Sequence, residues 1–194
     1  MSVVFDRNAV RSFRFIDCDL DAATGVARLR YAFDDGPELI ETVTVPGAPF
    51  ALDAVRAEAA TQALRLLHLI AGVSYYKAAV PMDIRIEGYA IDAETAMLLE
   101  NVYVHGLGGF AYRNGLDLHG KIRFPCASPS PQPLSQGERG SSAPALGLRT
   151  HALVAIGGGK DSLVSIEALR TLGIEQTVSW IGGSQLIRVC AERT

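Results

Sequence analysis

Three short runs of β-branched, aromatic and aliphatic residues lie near the start of the chain, and turn-forming residues separate them. The runs cover residues 13–18, 26–33 and 39–45, with the turn sequences Asp-Ala-Ala-Thr-Gly and Asp-Asp-Gly-Pro between them. Aspartate, glycine and proline at such breaks are typical of tight turns. In the middle run Arg28 and Arg30 alternate with apolar residues, as in a strand with one solvent-facing side. The pattern predicts an antiparallel meander whose other face needs a cover.

The next segment has its apolar residues at the spacing of a helix that packs against the sheet. Asp53 precedes this segment and can accept hydrogen bonds from the free amides of a first helical turn. Gly72 is predicted to end the helix. The apolar face is expected to contain Val55, Ala59, Ala63, Leu66, Leu67 and Ile70. This helix is the predicted cover of the sheet.

A short strand and a second helix complete the first predicted domain. The strand covers residues 83–87, and the helix begins after Asp92, which is again a capping residue. Three closely spaced glycines are predicted to end this helix. The residues expected to face inward are Met97, Leu98 and Val102. Residues 1–124 are therefore predicted to form an α+β domain built from an antiparallel meander and helices.

Residues 125–150 differ in composition from the segments on either side. They contain five of the nine prolines of the chain, several serines and glycines, and few large apolar residues. A segment of this composition cannot bury enough apolar surface to offset the entropy lost on ordering. We expect a flexible linker or an insertion between two parts of the fold.

From residue 151 the order of the predicted elements changes to strand, glycine-rich turn, helix and strand. The two strands are predicted at 152–156 and 177–181, so the span matches the roughly 30 residues of one βαβ unit. The first strand is an unbroken apolar run, which favours burial on both faces in a parallel sheet. The apolar stripe of the helix comprises Leu163, Val164, Ile166, Ala168, Leu169 and Leu172. Residues 151–194 are predicted to be part of an α/β nucleotide-binding domain.

The turn between this strand and this helix is rich in groups that bind phosphate. It consists of Gly157, Gly158, Gly159, Lys160, Asp161 and Ser162. Unhindered backbone amides and the positive end of a helix favour an anion at this position. Lys160 can add a positive charge and Ser162 a hydroxyl donor, while Asp161 suits a magnesium ion that also binds phosphate oxygens. The spacing excludes a Walker loop and the dinucleotide-binding fingerprint.

The glycine turn resembles the PP-loop of the ATP pyrophosphatases, written S-G-G-x-D-S, with Gly157 in place of the first serine. Four segments extend the resemblance, namely GFAYRNGLDL at 109–118, KIRFP at 121–125, AIGGGKDSLVSIEAL at 155–169 and SWIGG at 179–183. With these segments the chain is similar to the UDP-N-acetylmuramoyl-L-alanyl-L-glutamate epimerase family of bacterial peptidoglycan synthesis. It resembles a member of that family that is shortened at its C-terminal end.

The resemblance implies a cytoplasmic isomerase of cell wall biogenesis, a process linked to cell shape and cell division. It also implies that ATP and Mg²⁺ are used to convert the terminal L-glutamate of the nucleotide dipeptide to D-glutamate, with release of AMP and pyrophosphate. The nucleotide-binding domain would have the adenine nucleotide α-hydrolase-like fold. We expect an acyl-adenylate intermediate, because neutralising the carboxylate makes the neighbouring α proton easier to remove. The acid and base residues that would move this proton are not identified by the sequence.

A polar and cationic segment amid glycines is the candidate binding site for the substrate. It includes Tyr112, Arg113, Asn114, Lys121 and Arg123. Guanidinium groups suit a carboxylate or the nucleotide diphosphate. A solvated loop is the alternative interpretation of this segment. His68 is predicted to be a packed imidazole rather than a ligand, because the helix around it is otherwise apolar.

Composition limits the classes of partner. The chain has 194 residues and a net charge of −3, so no basic surface for nucleic acid is expected. No apolar run approaches the ~20 residues needed for a membrane span, and three distant cysteines favour a reducing compartment. Two alternatives to the epimerase stay open, a non-catalytic phosphate-binding module and an amide-forming or thiolating PP-loop enzyme. The adenine pocket is expected outside this sequence, because only 32 residues follow Ser162.

Overall fold

The structure is a computed structural model, and the residues it describes are 6–127, 146–157, 159–180 and 183–192. Two units make up the chain, Met1–Ser142 and Ala143–Thr194. Most of the predicted linker at 125–150 lies outside the described residues. Within these described residues, the first unit combines a sheet with four helices, and the second contains a two-stranded sheet with two helices.

A four-stranded sheet forms the centre of the first unit. Its strands are β1 (Ser12–Asp21), β2 (Val26–Phe33), β3 (Leu39–Thr44) and β4 (Asp83–Ile86). The spatial order is β3-β2-β1-β4, and β1, β2 and β3 pair antiparallel, which confirms the predicted meander. Strand β4 pairs parallel with β1, a neighbour that the sequence pattern did not indicate. A register irregularity between Phe15 and Asp17 moves the inward positions of β1, so that Cys18 packs against the core.

Four helices accompany the sheet, namely α1 (Ala54–Ala71), α2 (Val73–Tyr76), α3 (Ala93–Gly106) and α4 (Gly108–Asn114). Both predicted N-caps are confirmed. The Asp53 carboxylate accepts from the amide of Arg56 at 2.8 Å, and the Asp92 carboxylate accepts from the amide of Thr95 at 2.7 Å. Among the helices that the structure describes, none is both long enough and apolar enough to cross a lipid bilayer.

The predicted inward face of α3 is wrong. Its buried residues are Ala96, Leu99 and Tyr103, whereas Met97 is 62% exposed and Leu98 is 49% exposed. Val102 is also exposed. The helix turns its small and aromatic residues inward because the Tyr103 hydroxyl donates to the carbonyl of Leu69 on α1 at 2.5 Å. Helix α1 shows the same kind of difference. It buries His68 and Leu69, and its exposed apolar residues include Val55, Leu66, Leu67 and Ile70.

The last turn of α1 bonds to the sheet and to the segment before α3. Within it, His68 is fully buried, with Nε2 2.9 Å from the Arg30 carbonyl oxygen and Nδ1 2.9 Å from the Tyr89 hydroxyl. A carbonyl can only accept, so Nε2 carries the proton and the neutral ring accepts from Tyr89 at Nδ1. The His68 carbonyl accepts from the Tyr31 hydroxyl at 2.9 Å. The prediction that His68 is a packed imidazole is confirmed.

Gly72 is the C-cap of α1, as predicted, but it lacks the left-handed conformation typical of a glycine that ends a helix. Its φ of −56° is right-handed, and the chain continues from it into α2. The residue has to be small because a Cβ here would overlap the rings of Phe15 and Tyr31. Gly72 is thus required for the close approach of α1 to the sheet and not for a left-handed turn.

The second unit is a strand, helix, strand and helix. Its elements are β5 (His151–Ala155), α5 (Lys160–Thr171), β6 (Glu175–Ser179) and α6 (Gln185–Ala191). The two strands are parallel, and the buried core residues are Val154, Ile156 and Ile166. The prediction that the first strand is buried on both faces is wrong within this chain, because Leu153 is 73% exposed. On α5, Val164 and Leu172 are exposed too, so only part of the predicted apolar stripe is covered.

We predict that Gly72→Ala lowers the free energy of unfolding of the first unit by about 1–3 kcal/mol, because the added methyl group overpacks the contact with Phe15 and Tyr31. Tyrosine near-UV circular dichroism during urea unfolding reports this unit, since it contains all six tyrosines. Gly106→Ala on α3 is the matched control, because a Cβ there meets no atom within 4 Å. Equal stability of both variants would refute the steric requirement.

We also predict that the first unit loses stability as the pH falls below about 6.5. Burial lowers the pKa of His68 in the folded state, so the unfolded chain binds a proton first and the folded state is disfavoured. The dependence is at most about 1.4 kcal/mol per pH unit and begins near the unfolded pKa. Urea unfolding at pH 5.5 and 7.5 should show this difference in the wild type and in His105→Gln, a change at an exposed histidine. A His68→Gln variant that keeps the full difference would contradict the assignment.

Candidate functional site

The predicted phosphate-binding loop follows β5 and leads into α5. Gly157 is exposed, and Gly159 is the N-cap of α5 with φ −90° and ψ 164°. Gly158 lies outside the described residues. The loop thus stands at the carboxyl end of a parallel strand and at the N-terminus of a helix, which is where open α/β sheets bind their ligands.

The first turn of α5 presents the side chains that the sequence singled out. The N-cap has no side chain and therefore makes no side-chain capping bond to the amides of this turn. Lys160 and Asp161 are exposed. Ser162 is half-buried, and its hydroxyl donates to the Gly159 carbonyl at 2.9 Å. In this structure the hydroxyl thus donates to the backbone, and it has to rotate before it can donate to a phosphate.

A second loop reaches the same edge of the sheet, and sequence reasoning assigned it no role. Strand β6 pairs with β5 through Ala155 and Ser179, and the amide of Ile156 donates to the Ser179 carbonyl at 2.8 Å. The carboxyl ends of the two strands therefore lie side by side. A cavity of about 310 Å³ follows β6 and is lined by Trp180, Gly183, Ser184, Gln185 and Arg188. In the sequence, the S-W-I-G-G segment at 179–183 marks the position of this cavity.

Asp161 is the predicted ligand for magnesium. Its backbone carbonyl accepts from the Ser165 hydroxyl at 3.1 Å, and the residue lies exposed in the first helical turn. A single exposed carboxylate fits Mg²⁺, which keeps several waters and takes phosphate oxygens as its other ligands. In the described part of the chain, no group of three or more His, Cys, Asp or Glu side chains could hold a metal ion.

The predicted substrate residues lie in the first unit. Tyr112, Arg113 and Asn114 form the end of α4, where Tyr112 is 90% exposed and Gly115 caps the helix in the left-handed conformation. The Asn114 amide donates to the Phe110 carbonyl at 2.8 Å. Tyr112 and Arg113 therefore present their side chains to solvent, whereas the Asn114 amide is engaged within its own helix.

Lys121 and Arg123 lie in the segment after α4. The Arg123 guanidinium donates to the Glu100 carboxylate at 3.0 Å, and this carboxylate also accepts from the amide of Phe124 at 3.2 Å. Arg123 thus helps to hold the segment against α3, where Phe124 enters the core. Lys121 is exposed. The binding roles of these two residues stay predictions.

The cysteines are free thiols. Burial raises the pKa of Cys18 to about 11, so this thiol is protonated at neutral pH and is a poor proton acceptor. Cys126 and Cys190 belong to different units. The acid and base residues of the expected reaction are therefore not assigned to thiols.

Comparison with known proteins identifies similar chains. A family model described as the MurL N-terminal domain matches residues 4–194. The UDP-N-acetyl-alpha-D-muramoyl-L-alanyl-L-glutamate epimerase of Xanthomonas oryzae pv. oryzae is 69% identical over 190 residues, which is 98% of this chain and 40% of that protein. No solved structure shows significant similarity to the chain.

Two more distant relatives have the same name. The protein from Micromonospora sp. is 34% identical over 167 residues, and the protein from Salinispora tropica is 35% identical over 170 residues. Each alignment covers 84% of this chain and 35% of the relative. The chain thus spans well under half the length of the curated relatives it matches.

We predict that Gly157→Ala weakens the binding of MgATP several-fold while it leaves the stability of the second unit unchanged. A Cβ at Gly157 meets no atom within 4 Å and the φ of the residue lies outside the left-handed region, so only an approaching phosphate would be obstructed. Affinity is measured with a fluorescent ATP analogue, and stability with the fluorescence of Trp180, the one tryptophan of the chain.

Gly173→Ala is the control for this prediction. Gly173 has a φ of +67°, so alanine is expected to cost about 1–2 kcal/mol in the free energy of unfolding. Its effect on nucleotide affinity should be small where the unit is folded, because the residue lies at the other end of α5. If Gly157→Ala binds MgATP as tightly as the wild type, the glycine loop is not a phosphate site.

Proposed function

Because the chain belongs to the family described as the MurL N-terminal domain, we propose that it is the corresponding part of an ATP-dependent epimerase. The substrate is UDP-N-acetylmuramoyl-L-alanyl-L-glutamate, whose terminal L-glutamate is converted to D-glutamate for peptidoglycan synthesis. The observation that carries this proposal is the 69% identity to a relative of that name along 98% of the chain. The reaction belongs in the cytoplasm, where ATP and nucleotide-linked precursors occur together.

The reaction needs ATP because the α proton of a glutamate is very weakly acidic. Its removal places a second negative charge beside the existing carboxylate. In the proposed sequence a carboxylate oxygen attacks the α-phosphate of ATP, pyrophosphate leaves, and the resulting acyl-adenylate has a neutral acyl group. A base then takes the α proton and an acid returns a proton to the opposite face. Water finally hydrolyses the acyl-adenylate to AMP and the nucleotide dipeptide, which now ends in D-glutamate.

The part of the site that this chain supplies is the phosphate loop. The amides at the start of α5 and the Lys160 ammonium would bind the phosphates, and Gly157 would let the backbone approach them. Asp161 would hold a magnesium ion, which supplies charge neutralisation for the leaving pyrophosphate when bound. The chain spans 40% of the first relative, so we assign the adenine pocket and the proton-transfer residues to the part it does not match.

A second candidate function is that of a phosphate-binding interaction module without turnover. The exposed apolar side chains of the second unit favour it, since Leu153, Val164 and Leu172 are each more than two-thirds exposed. Such a module would bind nucleotide at the same loop and would need another polypeptide to catalyse. The two candidates differ in turnover and agree in phosphate binding.

We predict that the full-length protein containing this sequence forms D-glutamate from UDP-N-acetylmuramoyl-L-alanyl-L-glutamate only with ATP and magnesium. Chiral analysis of the hydrolysed product detects D-glutamate, and equimolar AMP and pyrophosphate report the proposed activation. Turnover in H₂¹⁸O should place ¹⁸O in AMP or in glutamate. Absence of the label from both would exclude the acyl-adenylate, and turnover without ATP would overturn the proposal.

Asp161→Asn should lower turnover of this full-length protein and weaken its dependence on magnesium, because the amide cannot neutralise the ion. Glu167→Gln is the matched control on the same helix, where the carboxylate pairs with Arg170 at 2.8 Å. An Asp161→Asn enzyme with the wild-type magnesium titration would remove the metal role.

A further inference from the structure

A cavity of about 260 Å³ lies in the first unit. It is formed by the outer side of α1, the segment 89–92 and the first turn of α3. Its polar lining includes Gln62, Arg65, Tyr89 and Asp92, and its apolar lining includes Leu66 and Ile91. The size suits one small polar group with a few carbon atoms.

Arg65 is the unusual member of this lining. Its guanidinium carbon lies 5.1 Å from the centre of the Tyr89 ring, so the cation is held over an aromatic face. None of the residues described in this unit gives it a carboxylate partner within 4 Å. Six other arginines of the unit do have one, namely Arg14, Arg28, Arg30, Arg56, Arg85 and Arg123. The donors of Arg65 are therefore available to a ligand.

The platform under Arg65 is rigid. The Tyr89 hydroxyl donates to Nδ1 of His68 at 2.9 Å, and Nε2 of the same imidazole donates to the Arg30 carbonyl. The hydroxyl also lies 3.3 Å from the carbonyl oxygen of Arg65. Because His68 is fully buried, this chain of bonds fixes the ring on which the guanidinium lies. A guanidinium held in this way loses little freedom when it binds a planar oxyanion.

The rest of the cavity selects among oxyanions. Hydrogen bonds from the amide and hydroxyl of Thr95 lower the pKa of Asp92, so its side chain is a carboxylate in the cavity. This charge repels a phosphate group with two negative charges more strongly than a carboxylate group with one. The Asp92 carboxylate and the Gln62 amide oxygen can also accept from a peptide N–H. Leu66 and Ile91 offer apolar contact to the carbon atoms between these groups.

We propose that this cavity binds the carboxylate end of an acidic peptide, with the guanidinium of Arg65 on the carboxylate and Asp92 near a peptide N–H. The choice of an acidic peptide rests on the proposed function, whose substrate ends in L-alanyl-L-glutamate. Arg65 is then a substrate-binding residue supplied by the first unit, and the phosphate loop is supplied by the second unit. The cavity and the position of Arg65 are features of the structure, so binding of a peptide there can be tested without turnover.

The test is a titration of the ¹⁵N-labelled 194-residue chain with N-acetyl-L-alanyl-L-glutamate, without ATP or magnesium. We expect saturable shifts of the amides at 90–95 and none at 159–162. Arg65→Gln should weaken binding about tenfold or more, the loss typical of a charged hydrogen bond. Arg56→Gln, on the same helix but outside the cavity, should bind as the wild type does. Tyrosine circular dichroism verifies that both variants are folded.

Two further ligands test, with the wild-type chain alone, which chemical group the cavity binds. Read at the amides of residues 90–95, the peptide diamide, which has no carboxylate, should not bind, and inorganic phosphate should bind more weakly than the peptide. At these amides, equal binding of the diamide, tighter binding of phosphate, or no saturable binding of the peptide would each overturn the proposal. An enzyme that turns over but fails this titration would keep the proposed function and lose only the Arg65 site.

Discussion

The last turn of α1 is the constraint on which the first unit depends. The Leu69 carbonyl accepts from the Tyr103 hydroxyl, and the His68 carbonyl accepts from the Tyr31 hydroxyl as well as from the Gly72 amide. The imidazole of His68 bonds to the sheet on one side and to Tyr89 on the other. An unpaired buried polar group costs about 1–3 kcal/mol. Any shift of this turn would break several such bonds at once, so it fixes α1, α3 and the sheet together.

Local signals were enough to predict the strands and helices α1, α3 and α5, but not α2 or α4. The contacts between elements account for the wrong inward faces. Strand β2 was predicted within its observed bounds because a turn sequence flanks it on either side. The two aspartate caps were also predicted, because each acts on its own helix. The inward face of α3 was wrong because the helical period allows two neighbouring apolar stripes. The choice between them depends on the bond from Tyr103 to Leu69, 34 residues away.

The same distinction applies to the candidate sites. The glycine loop could be found because its strand, turn and helix are contiguous in sequence. The cavity at Arg65 could not, because it joins residues 24 positions apart and its arginine looks like any other polar residue on a helix. The bond from Arg123 to Glu100 was hidden for the same reason. Charge that looks available for a substrate in the sequence is therefore partly engaged within the fold.

A phosphate loop by itself is a general device, since any helix N-terminus with bare amides attracts an anion. A cell contains many phosphorylated compounds. To select one acidic dipeptide among them, a protein needs groups that bind a carboxylate and the neighbouring peptide amide. Among the residues described at its glycine loop, the second unit offers no such combination, since Asp161 repels a carboxylate. The first unit does, because Arg65 is free of carboxylate partners within the described residues and is held on Tyr89. We therefore assign the two proposed roles, selectivity for the peptide and activation by ATP, to different units of the chain, and we expect that each can be impaired while the other is kept.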